Sequence, residues 1–290
     1  MDASLSLEWT FGVGPDVLSL QAGAEACVFY SAAHTGVIYS PASKTQKLLQ
    51  GHTSAITAAA VSADKAWLIT ADDGPDALMV VWDVARAKPF RTLPQLRGVV
   101  AIDVSGDLVV SLSSVFDAPG PVQEVTVLDW KSCEGRPISA VFDAALVQTT
   151  IRFKEDDFRE LVSTGPMRVV FWRVAATLSC SVPHVSKRNC RQALCPYTSS
   201  TFLGSKQAVS ATEDGHVVLW SAEGAFNKVG LKVLHLCQSA IRHVSSVAGH
   251  LIVAGDDGCV RVYDYDFRLA LWFEDVDAGP VSQSNVLQRE

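Results

Sequence analysis

The chain repeats one short pattern six times, and this repeat restricts its possible folds more than any other feature of the sequence. Each copy is a short apolar run that ends in an aromatic side chain or, once, in a leucine. The six anchors are Tyr39, Trp82, Leu128, Trp172, Trp220 and Tyr263. They are 43, 46, 44, 48 and 43 residues apart, close to the period of about 40–45 residues that is typical of four-stranded propeller blades.

The residues around the anchors favour strands over helices. They are rich in valine, isoleucine, leucine, threonine and aromatic side chains, and glycine, aspartate and proline interrupt them. Asp214-Gly215 and Asp257-Gly258 stand between apolar runs, where a hairpin turn needs a positive φ. The sequence therefore predicts an all-β fold, a WD40-type β-propeller with six four-stranded blades and a partial seventh.

The repeat also predicts where each blade begins and ends within a single domain of residues 1–290. The expected blades are approximately 12–50, 51–95, 97–143, 146–186, 191–238 and 240–275. Residues 5–11 are expected to supply a strand of the closing blade, and residues 281–287 to start a seventh blade. Either further chain closes the ring, or the ring stays open and exposes sheet edges to partners.

Composition excludes several classes of protein. With 48% hydrophobic residues the chain can bury a core, and its net charge of −7 lacks the basic footprint that nucleic-acid binding needs. The N-terminus carries no secretory signal and no run is long enough to span a membrane, so we expect neither nucleic-acid nor membrane partners. The seven cysteines are scattered without a CxxC pair, which favours free thiols in a reducing compartment.

A WD-type blade is held together by a series of buried polar side chains. A histidine before the first strand, a hydroxyl on the second, an aspartate in the following turn and a tryptophan on the third can hydrogen-bond in sequence. Because buried polar groups must be paired, such a set is retained or lost as a unit. The predicted members have a structural role and are His52, Thr70, Asp76, Trp82, Asp83, Ser210, Asp214, Trp220, Asp257 and Tyr263.

The blades differ in how completely they show this pattern. In the second and fifth blades the aspartate, Asp76 or Asp214, stands six residues before the tryptophan. In the sixth blade Asp257 has the same spacing from Tyr263, but Val253 replaces the hydroxyl, and in the fourth blade Pro166 replaces the aspartate. We therefore expect two good networks and several degenerate ones.

The sequence contains no motif that predicts catalysis or a cofactor. It has no Gly-rich phosphate loop, no GxSxG and no HExxH. His184, Cys190 and Cys195 fall close together but lack zinc-ligand spacing, which favours an ordinary loop. We expect no catalytic residues, no metal and no cofactor.

Several stretches resemble a known family, the ciliary and flagellar WD-repeat proteins of the calmodulin- and radial-spoke-associated complex. The resemblance is clearest over residues 5–95, and the Gly-Pro-Asp insertion after Asp73 is unusual for WD repeats in general. Microtubule-binding EMAP-like proteins share parts of the pattern. The stretches are Leu5–Gly12, Ala33–Tyr39, Leu49–His52, Val61–Ser62, Thr70–Asp76 and Val80–Asp83.

The resemblance implies a location in the axoneme and a set of partners. It implies a non-enzymatic scaffold that helps anchor a radial spoke base to doublet microtubules and regulates dynein-driven motility. Partners would be radial-spoke-base proteins and calmodulin-associated complex subunits near tubulin doublets. Family members carry two propellers, so this chain would be the N-terminal part of a longer protein. The residues leave two alternatives open, a general intracellular WD-repeat adaptor in a ubiquitin ligase or trafficking complex, and a propeller enzyme.

Overall fold

The structure of the chain is a computed structural model in which the elements of the described residues are β-strands, numbered β1 to β26. It divides into two compact units, Met1–Asp143 and Ala144–Glu290, which are described separately. The residues described are 9–12, 14, 17–74, 76–95, 97–118, 120–132, 136–143, 145, 147–155, 157–183, 196–204, 207–221, 230–274 and 281–282.

The first unit contains three antiparallel sheets, each a blade built from successive strands. Blade 1 contains β1 (Val17–Ala22), β2 (Glu25–Ala32), β3 (Thr35–Ser40) and β4 (Thr45–Leu49). Blade 2 contains β5 (Ile56–Val61), β6 (Trp67–Asp72), β7 (Leu78–Asp83) and β8 (Lys88–Pro94). Blade 3 contains β9 (Val99–Ser105), β10 (Leu108–Ser113), the two-residue β11 (Phe116–Asp117), β12 (Pro121–Asp129) and β13 (Ile138–Asp143).

The second unit contains three more blades of the same design. Blade 4 contains β14 (Thr150–Lys154), β15 (Asp157–Gly165), β16 (Arg168–Val174) and β17 (Leu178–Ser181). Blade 5 contains β18 (Tyr197–Leu203), β19 (Gln207–Thr212), β20 (His216–Ser221) and β21 (Gly230–His235). Blade 6 contains β22 (Ile241–Val247), β23 (His250–Gly255), β24 (Val260–Asp264), β25 (Leu269–Phe273) and β26 (Val281–Ser282).

The fold class is therefore a six-bladed β-propeller, as the repeat predicted. Each of the six anchors lies on the third long strand of its blade, so the repeat marks the same structural position every time. The predicted limits of the blades within a single domain stay predictions.

The core lies between the faces of neighbouring blades. One cluster joins Phe29 and Ile38 of blade 1 to Leu68 and Trp82 of blade 2. A second cluster joins blades 2 and 3, and further clusters join blades 4 and 5 and blades 5 and 6. Because these clusters cover both faces of blades 2 and 5, the middle strands of those blades are almost continuously buried instead of alternating, as in other strands that are buried on both faces.

Threonine hydroxyls also form hydrogen bonds between the first strand of one blade and the first strand of the next. Thr57 Oγ1 of β5 donates to the carbonyl oxygen of Val99 in β9. Thr198 Oγ1 of β18 donates to the carbonyl oxygen of Ile241 in β22 at 2.6 Å. Both threonines are the second residue of their strand, so the same device recurs in the two units.

The strand predicted at residues 5–11 is not present where the structure describes it. Residues 9–12 form no strand, and residues 5–8 lie outside the described part of the chain. The Thr10 amide donates to Gln46 Oε1 at 3.0 Å, and Gln46 Nε2 donates back to the Thr10 carbonyl oxygen at 3.2 Å. The prediction of a strand was wrong for Trp9–Phe11, because side-chain bonds to the outer strand of blade 1 satisfy this backbone.

The predicted start of a seventh blade is also corrected. Val281 and Ser282 pair with Trp272 and Leu271 of β25, so β26 extends blade 6 as a fifth strand. The outer edge of β25 has backbone N–H and C=O groups that need hydrogen-bond partners. Pairing with β26 satisfies them within blade 6, so no new sheet begins here. Residues 283–287 lie outside the described residues.

The two Asp-Gly turns adopt the predicted backbone. Gly215 has a φ of +74° and Gly258 a φ of +77°. Their surroundings differ, because a Cβ on Gly215 would lie 1.9 Å from the carbonyl oxygen of Cys237, whereas a Cβ on Gly258 would meet nothing within 4 Å. The carbonyl oxygen of Gly215 also accepts the amides of Leu236 and Cys237 at 3.0 and 3.2 Å.

Replacing Gly215 with alanine should therefore destabilise the protein more than replacing Gly258. Each substitution places an L-residue in the left-handed region at a cost of about 1–2 kcal/mol. Only Gly215→Ala adds an overlap with backbone, which should cost about 2 kcal/mol more. Urea unfolding of both variants measures the difference, and equal losses of stability would contradict the described packing of this turn.

Candidate functional site

The predicted polar network of blade 2 is buried and continuous. Trp82 Nε1 donates to Thr70 Oγ1 at 2.8 Å. Thr70 Oγ1 lies 2.7 Å from His52 Nε2, and His52 Nδ1 lies 2.8 Å from Asp72 Oδ2. The other carboxylate oxygen, Asp72 Oδ1, accepts the Leu78 amide at 3.0 Å. None of these four polar side chains is more than 4% exposed.

One arrangement of protons gives every polar atom of this network a partner. Thr70 Oγ1 accepts from the Trp82 indole, so its own proton can be donated to His52 Nε2, and a proton on His52 Nδ1 is donated to Asp72. This arrangement connects β6, β7 and the segment before β5, and it leaves no free hydroxyl or imidazole nitrogen of the network for chemistry.

The structure corrects the identity of the acid in this network. Asp72, the last residue of β6, accepts from His52, whereas Asp76 is exposed in the β6–β7 turn. The inserted Gly-Pro-Asp lengthens this turn, so counting six residues back from Trp82 reached the turn and missed the strand. The available signal was the alternation of a strand, since Asp72 is two residues after Thr70 and shares its face.

Blade 5 carries a hydroxyl network that continues into blade 4. Trp220 Nε1 donates to Ser210 Oγ at 2.8 Å, and Ser210 Oγ lies 2.6 Å from Ser200 Oγ. Thr164 Oγ1 of blade 4 donates to Ser200 Oγ at 2.7 Å. Asp214 is exposed in the turn, and the His216 amide instead bonds to Thr212 Oγ1 at 3.1 Å. Thr212 therefore takes the place that Asp72 has in blade 2, and the expectation for Asp214 is corrected in the same way.

Blade 4 contains a network that was missed because Pro166 occupies its turn. Trp172 Nε1 donates to Ser163 Oγ at 2.8 Å, and Ser163 Oγ donates to Gln148 Oε1 at 2.8 Å. Gln148 stands before the first strand, as His52 does in blade 2. The spacing of Ser163 from Trp172 could have revealed it, since a serine on the second strand again precedes the tryptophan of the third.

Blade 6 uses a different arrangement, as the valine at position 253 predicted. Asp257 forms a two-pronged ion pair with Arg261, with Nη2–Oδ2 at 2.6 Å and Nη1–Oδ1 at 3.3 Å. The hydrogen bond from Arg261 lowers the pKa of Asp257. The Tyr263 hydroxyl donates to the Leu236 carbonyl oxygen at 3.5 Å, and burial raises its pKa. Both residues hold strands together, but they share no hydroxyl relay.

Asp83, the remaining predicted residue, accepts hydrogen bonds in the turn after β7 and is not part of the buried network of blade 2. Its Oδ1 accepts the Arg86 amide at 2.9 Å, and its Oδ2 pairs with Arg86 Nη1 at 2.8 Å. Arg86 is largely exposed, so this ion pair contributes little to stability.

Residues that could hold a metal or react do not gather in the described part of the chain. No group of three or more histidine, cysteine or acidic side chains has metal-binding proximity there. Cys27, Cys180, Cys237 and Cys259 are free thiols, and burial raises the pKa of Cys237. His184, Cys190 and Cys195 lie outside the described residues.

Within the part of the chain that the structure describes, no helix is long and apolar enough to cross a membrane.

Comparison with known proteins gives one family over nearly the whole chain. Residues 5–286 match the model of the CFAP251 N-terminal domain. The chain is 34% identical to cilia- and flagella-associated protein 251 of Chlamydomonas reinhardtii and 32% identical to that of Tetrahymena thermophila. Each alignment covers 96% of this chain but only 38% and 31% of the respective relative. Cilia- and flagella-associated protein 44 of mouse is 25% identical over 82% of the chain.

Removing the carboxylate of Asp72 should destabilise the protein far more than removing that of Asp76. Asp72→Ala leaves His52 Nδ1 and the Leu78 amide without acceptors, at an expected cost of about 3 kcal/mol. Asp76→Ala removes an exposed side chain and should change stability by less than about 0.5 kcal/mol. Urea unfolding measures the free energy of unfolding of both variants. The opposite ranking would show that Asp76, and not Asp72, is the acid of the network.

Ser200 and Ser210 should be energetically coupled because their hydroxyls bond directly. A double-mutant cycle with Ser200→Ala and Ser210→Ala should give a coupling of about 1 kcal/mol. Thr70→Val combined with Ser210→Ala is the control, since Thr70 and Ser210 share no partner and their effects should add. Strict additivity for the serine pair in thermal or urea unfolding would show that the shared hydroxyl network does not exist.

Proposed function

Since the chain belongs to the cilia- and flagella-associated protein 251 family, we propose that it is a non-enzymatic scaffold of the ciliary or flagellar axoneme. In this role it helps anchor the base of a radial spoke to doublet microtubules and thereby regulates dynein-driven motility. Its partners are radial-spoke-base proteins and subunits of the calmodulin-associated complex. The observation that carries the proposal is the family match across residues 5–286.

The buried hydrogen-bond networks favour a scaffold function over an enzymatic one. The polar side chains that the repeat contributes are buried and bonded to each other in blades 2, 4 and 5, so they stabilise the blades and present nothing to a substrate. A protein that anchors a mechanically loaded assembly needs blades that keep their shape, and buried polar networks limit alternative packings.

The surface offers features suited to protein partners. Large apolar side chains are exposed at several positions, among them Phe90, Phe158 and Met167 at 47%, 47% and 65%. Arg242 joins Asp256 and Glu213 in an exposed charged group, with Nη2–Oδ2 at 2.6 Å and Nη1–Oε1 at 3.0 Å. Aromatic side chains, methionine and arginine are enriched at protein interfaces relative to the rest of the surface.

The axonemal role predicts where the protein is found in a cell. A tagged copy of the full-length protein, expressed in the flagellated or ciliated cells of its source, should stay with the axoneme after detergent removes the membrane. Cryo-electron tomography should place the tag at a radial spoke base, and depletion should reduce beating. A tag recovered only from the cell body would contradict the role and favour a general adaptor.

Two matched variants connect this localisation to the fold. Asp72→Ala, which opens the buried network, should lower incorporation into the axoneme severalfold, whereas Asp76→Ala should incorporate like the unaltered protein. Equal incorporation of all three would show that blade 2 takes no part in the attachment.

A further inference from the structure

Blade 3 departs from the pattern of blades 2, 4 and 5 at one position. In those three blades a tryptophan on the third strand donates its indole N–H to a hydroxyl on the second, each time at 2.8 Å. The strand register places Leu128 of blade 3 at the tryptophan position, opposite Val109 as Trp82 is opposite Leu68. The same register places Ser111 at the position of Thr70, since Ser111 is opposite Thr126 and Thr70 is opposite Val80.

Blade 3 therefore keeps the acceptor of the network but has lost the donor. The side chain of Ser111 is buried, at 5% exposure, and the structure shows no hydrogen bond to its hydroxyl from any described residue. Gln95 stands four residues before β9, as His52 stands four before β5, but its side-chain amide donates to the Leu93 carbonyl oxygen. Neither the tryptophan nor the histidine has a replacement here.

A cavity of about 240 Å³ lies where the missing side chains would be. Ser111, Thr126 and Leu128 line it from the middle strands, and Ser139 lines it from β13. Arg97 and Glu124 also line it, and both reach solvent, with side chains 36% and 23% exposed. A cavity of about 150 Å³ is large enough to hold benzene, so this one has room for the two rings of an indole.

A buried donor without a hydrogen-bond partner also belongs to the wall of this cavity. Arg97 Nε is buried and has no hydrogen-bond partner among the described residues, and the nearest carboxylate oxygen, Glu124 Oε2, is 3.7 Å away. The guanidinium lies over the ring of Phe116 at 3.4 Å, which holds it in place. The rest of the side chain reaches solvent at the cavity wall, so the exposed part of the guanidinium can donate to a carbonyl oxygen of a bound chain.

The geometry points to a binding site for a tryptophan side chain presented by a partner protein. The indole ring fills the cavity against Leu128, its N–H donates to Ser111 Oγ, and the exposed part of the Arg97 guanidinium donates to a backbone carbonyl oxygen beside it. The partner thus supplies to blade 3 the residue that blades 2, 4 and 5 carry themselves. Such a side chain would bind wherever the protein works in the cell, so failure of this site leaves the axonemal role standing.

N-acetyl-tryptophanamide is the probe for this site, with free indole as a second arm and both measured by ligand-observed NMR on the whole chain. A ligand of this size in a preformed cavity should bind with a dissociation constant of about 0.1–1 mM. Free indole binding while the blocked amino acid is excluded would overturn a partner side chain as the occupant. Absence of saturation by either probe would overturn the site itself.

Leu128→Trp tests the cavity by filling it from within. The new indole should take the place of the ligand, weaken N-acetyl-tryptophanamide binding at least tenfold, and raise the thermal midpoint through its own bond to Ser111. Val17→Trp is the matched control, because it adds a tryptophan at an exposed position of β1 and should leave binding unchanged. Undiminished binding to a folded Leu128→Trp variant would contradict the site.

Ser111→Ala tests the hydrogen bond while leaving the cavity open. The unaltered protein should prefer N-acetyl-tryptophanamide to its 1-methylindole analogue by about fivefold, the value of one net hydrogen bond. Ser111→Ala should abolish this preference and still bind both compounds. A preference that persists in Ser111→Ala would show that the serine is not the acceptor.

Discussion

The hydrogen bond from a buried indole to a buried hydroxyl is the interaction on which the blade architecture depends. It joins the second and third strands of blades 2, 4 and 5. In blades 2 and 5 the indole also packs against the preceding blade, Trp82 with Phe29 and Ile38 and Trp220 with Phe171. One side chain therefore contributes both the packing between blades and the polar bond within a blade. Because an unpaired N–H or hydroxyl in this position would be costly, each indole fixes the position of the hydroxyl that receives it.

The side chains beyond that hydroxyl vary more than the bond itself. Blade 2 continues to a histidine and an aspartate, blade 4 to Gln148, and blade 5 to the serine and threonine hydroxyls of two blades. What these share is that the hydroxyl has somewhere to donate its proton. The side chains beyond the hydroxyl can therefore differ from blade to blade while the strands keep the same register.

Much of the fold could be predicted from the sequence, because the repeating apolar runs are the strands whose side chains the blades bury. The anchors are evenly spaced since each lies on the third strand of its blade, and the Asp-Gly pairs mark turns since they require a positive φ. The acid of blade 2 was misplaced because an insertion lengthened the turn and broke the spacing rule, so that Asp76 met the rule and Asp72 filled the role. The network of blade 4 was missed because a glutamine can replace the histidine.

The ends of the chain and blade 3 show what a repeat cannot predict. Trp9–Phe11 and Val281–Ser282 carry apolar residues like those of strands, but their placement depends on which neighbouring backbone or side chain satisfies them. Leu128 lines the cavity of blade 3, although as an anchor it looks like a conservative replacement for an aromatic residue. Only the strand register, which pairs Leu128 with Val109 and Ser111 with Thr126, shows that the leucine stands where blade 2 carries the tryptophan that donates to the hydroxyl.

Hydrogen exchange at the indole nitrogens, followed by NMR, tests the dependence of the blades on their buried indoles most directly. The Nε1 protons of Trp82, Trp172 and Trp220 should exchange only when their blades open, orders of magnitude more slowly than that of Trp272. Trp272 is the internal reference, since its indole bonds to Glu274 at an exposed position. If the three buried indoles exchange as quickly as Trp272, the networks do not hold the blades together.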